Sequence, residues 1–272
     1  MAAGEPRITE ERRHTMHTHS RFLAGRTAIV TGSGRNIGRA IALAFAGCGA
    51  NVVINGHRDR AALDAVVKEA ESLGVRAMAA VADVGDADAV ANMVEAARDR
   101  FGAIDIAVSN VSRRNRQAFE DISLDDWRST LNINLNSVFY LNRAVLPQMK
   151  QRGWGRLINI SGHDGWNGAK NRAHNVTCKA GMHALAKAIA LEYGPYGITA
   201  NTIAPGTMDT IRDEKNYPNY IEEFEKRRMT KIAVRRLGRS EDVAEAALFL
   251  CTEGGGFVTG DVIHSNGGEY MF

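Results

Sequence analysis

The chain has 272 residues, 44% of them hydrophobic, which suffices for a single large domain or two small ones with a buried core. A net charge of +3, with no basic stripe interleaved with aromatics, argues against nucleic acid as a partner. Three widely spaced cysteines, Cys48, Cys178 and Cys251, fit a reducing, cytoplasmic setting better than disulfides or zinc.

Residues 1–22 are charged and aperiodic and lack the apolar core of a signal peptide, so they read as a mobile extension. Nothing fixes the geometry of His14, His17 and His19 there, and no metal is expected. TAIVT (Thr27–Thr31) reads as the first strand, followed by a helix with Ile37, Ala40, Ile41, Ala44 and Phe45 on one face. The run Ala40–Gly56 reads as helix, turn and strand, and is too short and interrupted for a membrane span. NVVIN (Asn51–Asn55) is the second strand, and a helix through Leu63, Val66, Val67 and Ala70 leads to a third at Arg76–Val84. Val90, Met93, Val94, Ala97 and Phe101 mark the next helix. Ile104–Asn110 and Arg156–Ile160 are the fourth and fifth strands, separated by a long helix over Leu124–Met149. A helix over Val176–Glu192, a strand in ITANTI, a helix in EDVAEAALFL and a strand in VIHSN complete the chain.

Strands alternating with amphipathic helices predict one α/β domain over residues 23–272. Its architecture is a Rossmann-type, doubly wound parallel sheet of about seven strands with helices on both faces. Ligands bind such sheets beyond the carboxyl ends of the strands.

TGSGRNIG (Thr31–Gly38) lies between the first strand and the first helix. Gly32, Ser33, Gly34, Arg35, Asn36, Ile37 and Gly38 are therefore candidates to hold a pyrophosphate at a helix N-terminus. Asp83, with Val84 beside it, is placed to accept from an adenine amino group. The second strand ends in NGHR, without the acid that holds a ribose 2′-hydroxyl. Arg35 and Arg58, with His57, are candidates for a 2′-phosphate instead. NADP(H) is accordingly favoured over NAD(H).

From about Gly25 to Gly268 the chain resembles the short-chain dehydrogenase/reductase family. TGSGRNIG is similar to the family's TGxxxGxG turn, with Asn36 where the middle glycine usually stands. SNVS resembles NNAG at Asn110 alone, and NINLNSVF resembles NxNLxGVF, which implies a catalytic asparagine at Asn134. PGTMDT resembles the PGxxxT turn, and so implies that Pro205, Gly206, Thr207 and Thr210 meet the nicotinamide end. The segment RLGRSEDVAEAALFLCTEGGGFVTGDVIHSNGG resembles the family's C-terminal pattern.

The resemblance implies a Ser–Tyr–Lys apparatus in which Tyr-x-x-x-Lys shares a helix face. The ammonium there lowers the phenol's pKa and binds the nicotinamide ribose. Lys179 matches the lysine, but Asn175 stands at the tyrosine position. Ser161 matches the first of the usual serine pair, and Gly162 falls at the second, catalytic position. The expected enzyme is an NADP(H)-dependent oxidoreductase with an altered proton-transfer site, acting on a small carbonyl, imine or enone.

His163 and His174 are candidate substitute acids, with Asp164 stabilising their loop. His174 reads slightly better as a surface histidine near a helix N-terminus, where the dipole favours the neutral ring. Asn175 can polarise a carbonyl but has no proton to give at neutral pH. Residues 207–239 fall where the family carries its substrate lid. Tyr217 and Tyr220 are candidate pocket residues there, and Lys226, Arg227 and Arg228 read as exposed charge. The alternative is a non-catalytic nucleotide-binding regulator or structural homologue. The resemblance also implies a homo-oligomer, tetramer or dimer, formed through Leu124–Met149, Val176–Glu192 and the last strand. The remaining expected partner is a small-molecule substrate, with no membrane.

Overall fold

The structure, a computed structural model, describes residues 21–211 and 230–271. Its strands are β1 (Thr27–Val30), β2 (Asn51–Gly56), β3 (Ala77–Val81), β4 (Ile106–Ser109), β5 (Gly155–Ile160), β6 (Ile198–Pro205) and β7 (Val262–Ser265). They form a single sheet in the order β3-β2-β1-β4-β5-β6-β7, and every pairing is parallel. The helices are α1 (Asn36–Gly47), α2 (Arg60–Ser72), α3 (Ala87–Phe101), α4 (Leu124–Leu131), α5 (Ser137–Arg152), α6 (Asp164–Asn167), α7 (Ala173–Tyr193) and α8 (Ser240–Cys251).

The two-residue period of the strands divides the core into two layers. Ala28 and Val30 of β1 and Val52 and Ile54 of β2 pack against Ile41 and Phe45 of α1, Leu63 of α2 and Leu248 of α8. Ile29 and Val53, the residues between them, face the other way, against Met93 of α3, Leu141 and Met149 of α5 and Ile189 of α7. Phe45 is fully buried, and its truncation to alanine is worth about 3–5 kcal/mol. Side chains fix where two of the helices start. Asp59 accepts the Ala62 N–H ahead of α2, and Asp86 accepts the Asp88 and Ala89 N–H groups ahead of α3.

Three boundaries differ from expectation. β3 stops at Val81, because the Asp83 carboxylate turns the chain by accepting the Gly85 N–H at 2.8 Å. Asp83 is therefore an exposed loop residue, with Val84 buried beside it. The helix expected over Leu124–Met149 is interrupted by a π turn, Asn132–Asn136, between α4 and α5. α7 begins at Ala173, which brings His174 and Asn175 into its first turn. Arg21 already belongs to the folded body, donating to the Gly74 carbonyl at 3.2 Å. Residues 1–20, with their three histidines, and 212–229, with Tyr217, Tyr220, Lys226, Arg227 and Arg228, lie outside the described residues.

Strand order reverses between β1 and β4. The crevice beyond their carboxyl ends is where this topology receives a ligand.

Candidate active site

The turn after β1 is held from three sides. Ser33 Oγ donates to the Val30 carbonyl at 2.7 Å and accepts the Asn55 N–H at 3.0 Å. Asn110, beyond β4, donates from Nδ2 to the carbonyls of Thr31 and Gly32, both at 3.1 Å. A Cβ on Gly38 would strike the Gly32 carbonyl oxygen and come within 2.6 Å of Asn110 Nδ2, so only glycine fits there. Asn36 takes φ 50, a left-handed conformation that asparagine tolerates. Its side chain exchanges two hydrogen bonds with the Ile211 backbone, at 3.0 and 3.1 Å.

α1 has no side-chain cap and no acidic residue in its first turn, which leaves its leading N–H groups open to an anion. This cradle fits a dinucleotide pyrophosphate.

At the end of β2, Asn55 spends its amide on the protein itself. It accepts the Gly32 N–H at 3.3 Å and donates to the Ala80 and Ala82 carbonyls at 3.1 and 3.2 Å. His57 Nδ1 lies 3.4 Å from Asp83 Oδ2, so His57 faces the loop after β3. Arg35 and Arg58 are exposed and make no ion pair among the described residues.

Beyond β4 and β5 lies an open cleft with a mostly polar lining. Ile37 and Asn110 line its cofactor side, Pro205–Met208 and Thr210 another wall, and Ser161, His163 and Lys179 its floor. A side chain on Gly206 would strike the Asn266 backbone, with its Cβ only 2.8 Å from Asn266 Cα, so only glycine fits this wall. Thr207 donates from both its N–H and its hydroxyl to the Glu269 carboxylate, at 2.8 and 2.9 Å.

Asn134 and Asn175 do not line the cleft. Asn134 sits in the π turn, 2% exposed, and its Nδ2 donates to Asn175 Oδ1 at 3.0 Å and to the Arg113 carbonyl at 2.9 Å. Asn175, fully buried, donates onward to the Asn115 carbonyl at 3.3 Å. The two amides tie α7 and the π turn to the loop after β4. His174 departs from the surface reading. It is fully buried, its Nδ1 accepts the Asn175 N–H at 3.0 Å, and burial lowers its pKa. The neutral ring was anticipated, but its cause is burial, and the ring lies outside the cleft wall.

A Cβ added to Gly162 would collide with Lys179 Nζ, so the amine stands where a side chain at residue 162 would begin. Burial, reinforced by Arg114 and Arg172 and opposed by Asp164, pushes the Lys179 pKa down to about 8. Ser161 Oγ lies 2.8 Å from His183 Nε2, and burial pushes the His183 pKa down to about 4, which keeps that ring neutral. His163 Nε2 is 3.1 Å from Asp164 Oδ1, and its ring stacks on Tyr270 with centroids 4.6 Å apart. Arg172 Nη1 donates to Asp164 Oδ2 at 2.7 Å. Burial alone would raise the Asp164 pKa. The His163 hydrogen bond and the charges of Lys179 and Arg172 outweigh it and hold the carboxyl well below the usual range.

Arg114, Arg172, His183 and Glu269 were not singled out by sequence reasoning. His183 carries a legible signal, since it lies four residues after Lys179 on the same helix. Glu269 carries none, because its role arises only when the end of the chain folds back over Thr207. Among the described residues no helix is long and apolar enough to cross a membrane, and no cluster of three metal-ligating side chains occurs.

These features define a Rossmann-type dinucleotide-binding domain with a polar cleft at the switch point of the sheet. A family model described as "Enoyl-(Acyl carrier protein) reductase" matches residues 32–269. The chain is 37% identical over 251 residues to the (2S)-[(R)-hydroxy(phenyl)methyl]succinyl-CoA dehydrogenase subunit BbsD of Thauera aromatica, covering 92% of this chain and 98% of the relative. It is 34% identical over 251 residues to the 3-oxoacyl-[acyl-carrier-protein] reductase FabG of Staphylococcus aureus, covering 90% and 98%. A solved short-chain dehydrogenase from Burkholderia cenocepacia J2315, in complex with NADP, superposes with a TM-score of 0.82 at 30% identity, over 91% of this chain and 98% of that one. The chain belongs to the short-chain dehydrogenase/reductase family of oxidoreductases.

Proposed function

We propose that this protein is an NADP(H)-dependent oxidoreductase with an altered proton-transfer site, acting on a small carbonyl, imine or enone. The observation that carries the reading is a cleft onto which Ile37 of the glycine turn, Asn110, Ser161 and Lys179 all open. The nicotinamide, when bound, supplies or accepts the hydride. Asn110 and the glycine turn hold the cofactor, with Pro205, Gly206, Thr207 and Thr210 at its nicotinamide end. Lys179 offers an ammonium to the ribose and the reacting oxygen, and Ser161 a hydroxyl oriented by His183.

A proton must still reach the substrate oxygen. Asn175 has none to give and is tied to Asn134 and Asn115. His163 and Lys179 both line the cleft and can donate, so the source lies with one of them, and His174 is left out. An iminium would need no such proton during hydride transfer, and a conjugated alkene could take its proton later from water.

Arg35, Arg58 and the amide at Asn55 support NADP(H) over NAD(H). The NADP complex of the Burkholderia relative agrees with that preference. A homo-oligomer through α4–α5 and α7 belongs to the same proposal, with Phe139 and Leu191 exposed on those helices. So does a cytoplasmic location.

The absence of a tyrosine among the cleft's described lining residues favours a second reading, a nucleotide-binding regulator without turnover. Fluorescence titration with NADPH and NADH, followed by NADPH oxidation against ketones, imines and enones, separates the two. The proposal expects tighter binding of NADPH, a preference lost in Arg58→Ala, and turnover above the uncatalysed rate. Binding without turnover, joined by turnover in the double variant Gly162→Ser, Asn175→Tyr, selects the regulator.

A further inference from the structure

The described wall of the cleft carries Arg114, Arg116, Arg172 and Lys179 against one carboxylate, Asp164. That carboxylate is already engaged. One oxygen accepts from Arg172 at 2.7 Å and the other faces His163 at 3.1 Å.

Arg114 makes no ion pair among the described residues, yet it lines the cleft. It is close enough to Lys179 to oppose the charge on that amine. Arg114 and the buried Lys179 repel one another across the cleft, and an anion entering between them offsets that repulsion. One further atom in this wall lacks a partner. His163 is 7% exposed, and its Nδ1 is buried without a hydrogen bond.

We infer that the substrate of this cleft carries a carboxylate close to its reacting carbon, and that Arg114 is the residue that receives it. The guanidinium fork matches a carboxylate bidentately. Lys179 and Arg172 extend the positive field from that contact to the floor where the oxygen reacts. A short oxo acid carries both groups this cleft would meet, an anion for Arg114 and a carbonyl for the floor. The neutral ester of the same acid leaves Arg114 without its partner. This inference rests on the cofactor reading above, because it places the acid beside a bound nicotinamide.

The test uses the full-length protein loaded with NADP⁺, which with an oxo compound forms a dead-end complex and needs no turnover. The probes are 2-oxobutanoate and 3-oxobutanoate, each paired with its methyl ester, titrated by calorimetry. The expected result is roughly ten-fold or tighter binding of at least one acid over its ester. Arg114→Gln should erase that preference, Arg114→Lys should retain part of it, and neither should change NADP⁺ affinity. Esters that bind as well as their acids in both pairs overturn the inference. So does an acid preference that survives Arg114→Gln, or NADP⁺-loaded protein that binds no probe. Loss of NADP⁺ affinity in Arg114→Gln would instead assign the guanidinium to the cofactor and also overturn it. If the wild type does not bind NADP⁺, the cofactor reading fails first and separately.

Discussion

The two ends of the cleft are built from different materials. At the cofactor end the shape belongs to the backbone. Gly38 fits because nothing larger clears the Gly32 carbonyl, and Asn110 and Asn55 brace main-chain atoms of the turn. At the reaction end the shape belongs to the tips of side chains. Lys179 Nζ fills the place beside Gly162, Ser161 leans on His183, and Asp164 collects His163 and Arg172. A backbone cradle tolerates few changes and accepts one kind of ligand. Side-chain tips can be exchanged without moving a strand, so one fold can keep its cofactor geometry while its proton chemistry changes.

The largest effect should come from the reaction end. Lys179→Met removes the cleft's ammonium, and turnover should fall by about 10²–10⁴. The Lys179 pKa is pushed down to about 8, so the wild-type amine is charged below that pH and neutral above it. The rate should therefore decline as pH rises through about 8. Lys179→Arg, slower at neutral pH, should show no such decline, because a guanidinium keeps its charge. A wild-type rate that stays flat from pH 7 to 9.5 would take the ammonium out of the mechanism.

At the cofactor end Gly38→Val should weaken NADPH binding by roughly 100-fold, since its side chain must displace the Gly32 carbonyl that shapes the turn. Fluorescence titration reads this directly. If the variant melts near the wild-type temperature yet binds NADPH normally, the turn is not the cofactor's cradle.

The same division explains what could be read in advance. The short, continuous apolar runs TAIVT, NVVIN and RLINI marked the strands, and the glycine turn lies in sequence where it lies in space, so the cofactor end was legible. The reaction end was legible as a set of residue types, with Lys179, Ser161 and His163 all on the cleft. Its wiring was not. That Asn175 turns to Asn134 depends on a π turn that helical periodicity does not announce, because one wide turn shifts the register of the residues after it. His174 read as a surface residue because it lies at a helix N-terminus, yet the first turn of α7 is itself buried at His174 and Asn175. Glu269 reaches Thr207 across 62 positions of sequence, beyond any local pattern.

Asn36 joins the two ends and gives the smallest expected effect. Its backbone, at φ 50, belongs to the cofactor turn, and its amide clamps Ile211 at the edge of the 207–239 segment. Asn36→Gly keeps the left-handed turn and removes only the clamp. Two exposed hydrogen bonds contribute about 1 kcal/mol, so NADPH affinity should drop by about five-fold. Asn36→Ala removes the clamp and adds about 1 kcal/mol of left-handed strain, so it should bind more weakly than the glycine variant. Amide exchange at Ile211 should quicken in both variants alike. Equal affinity in the two would mean that the clamp carries the whole effect. A glycine variant indistinguishable from wild type would show that the turn alone holds the cofactor, with the contact to Ile211 contributing nothing to it.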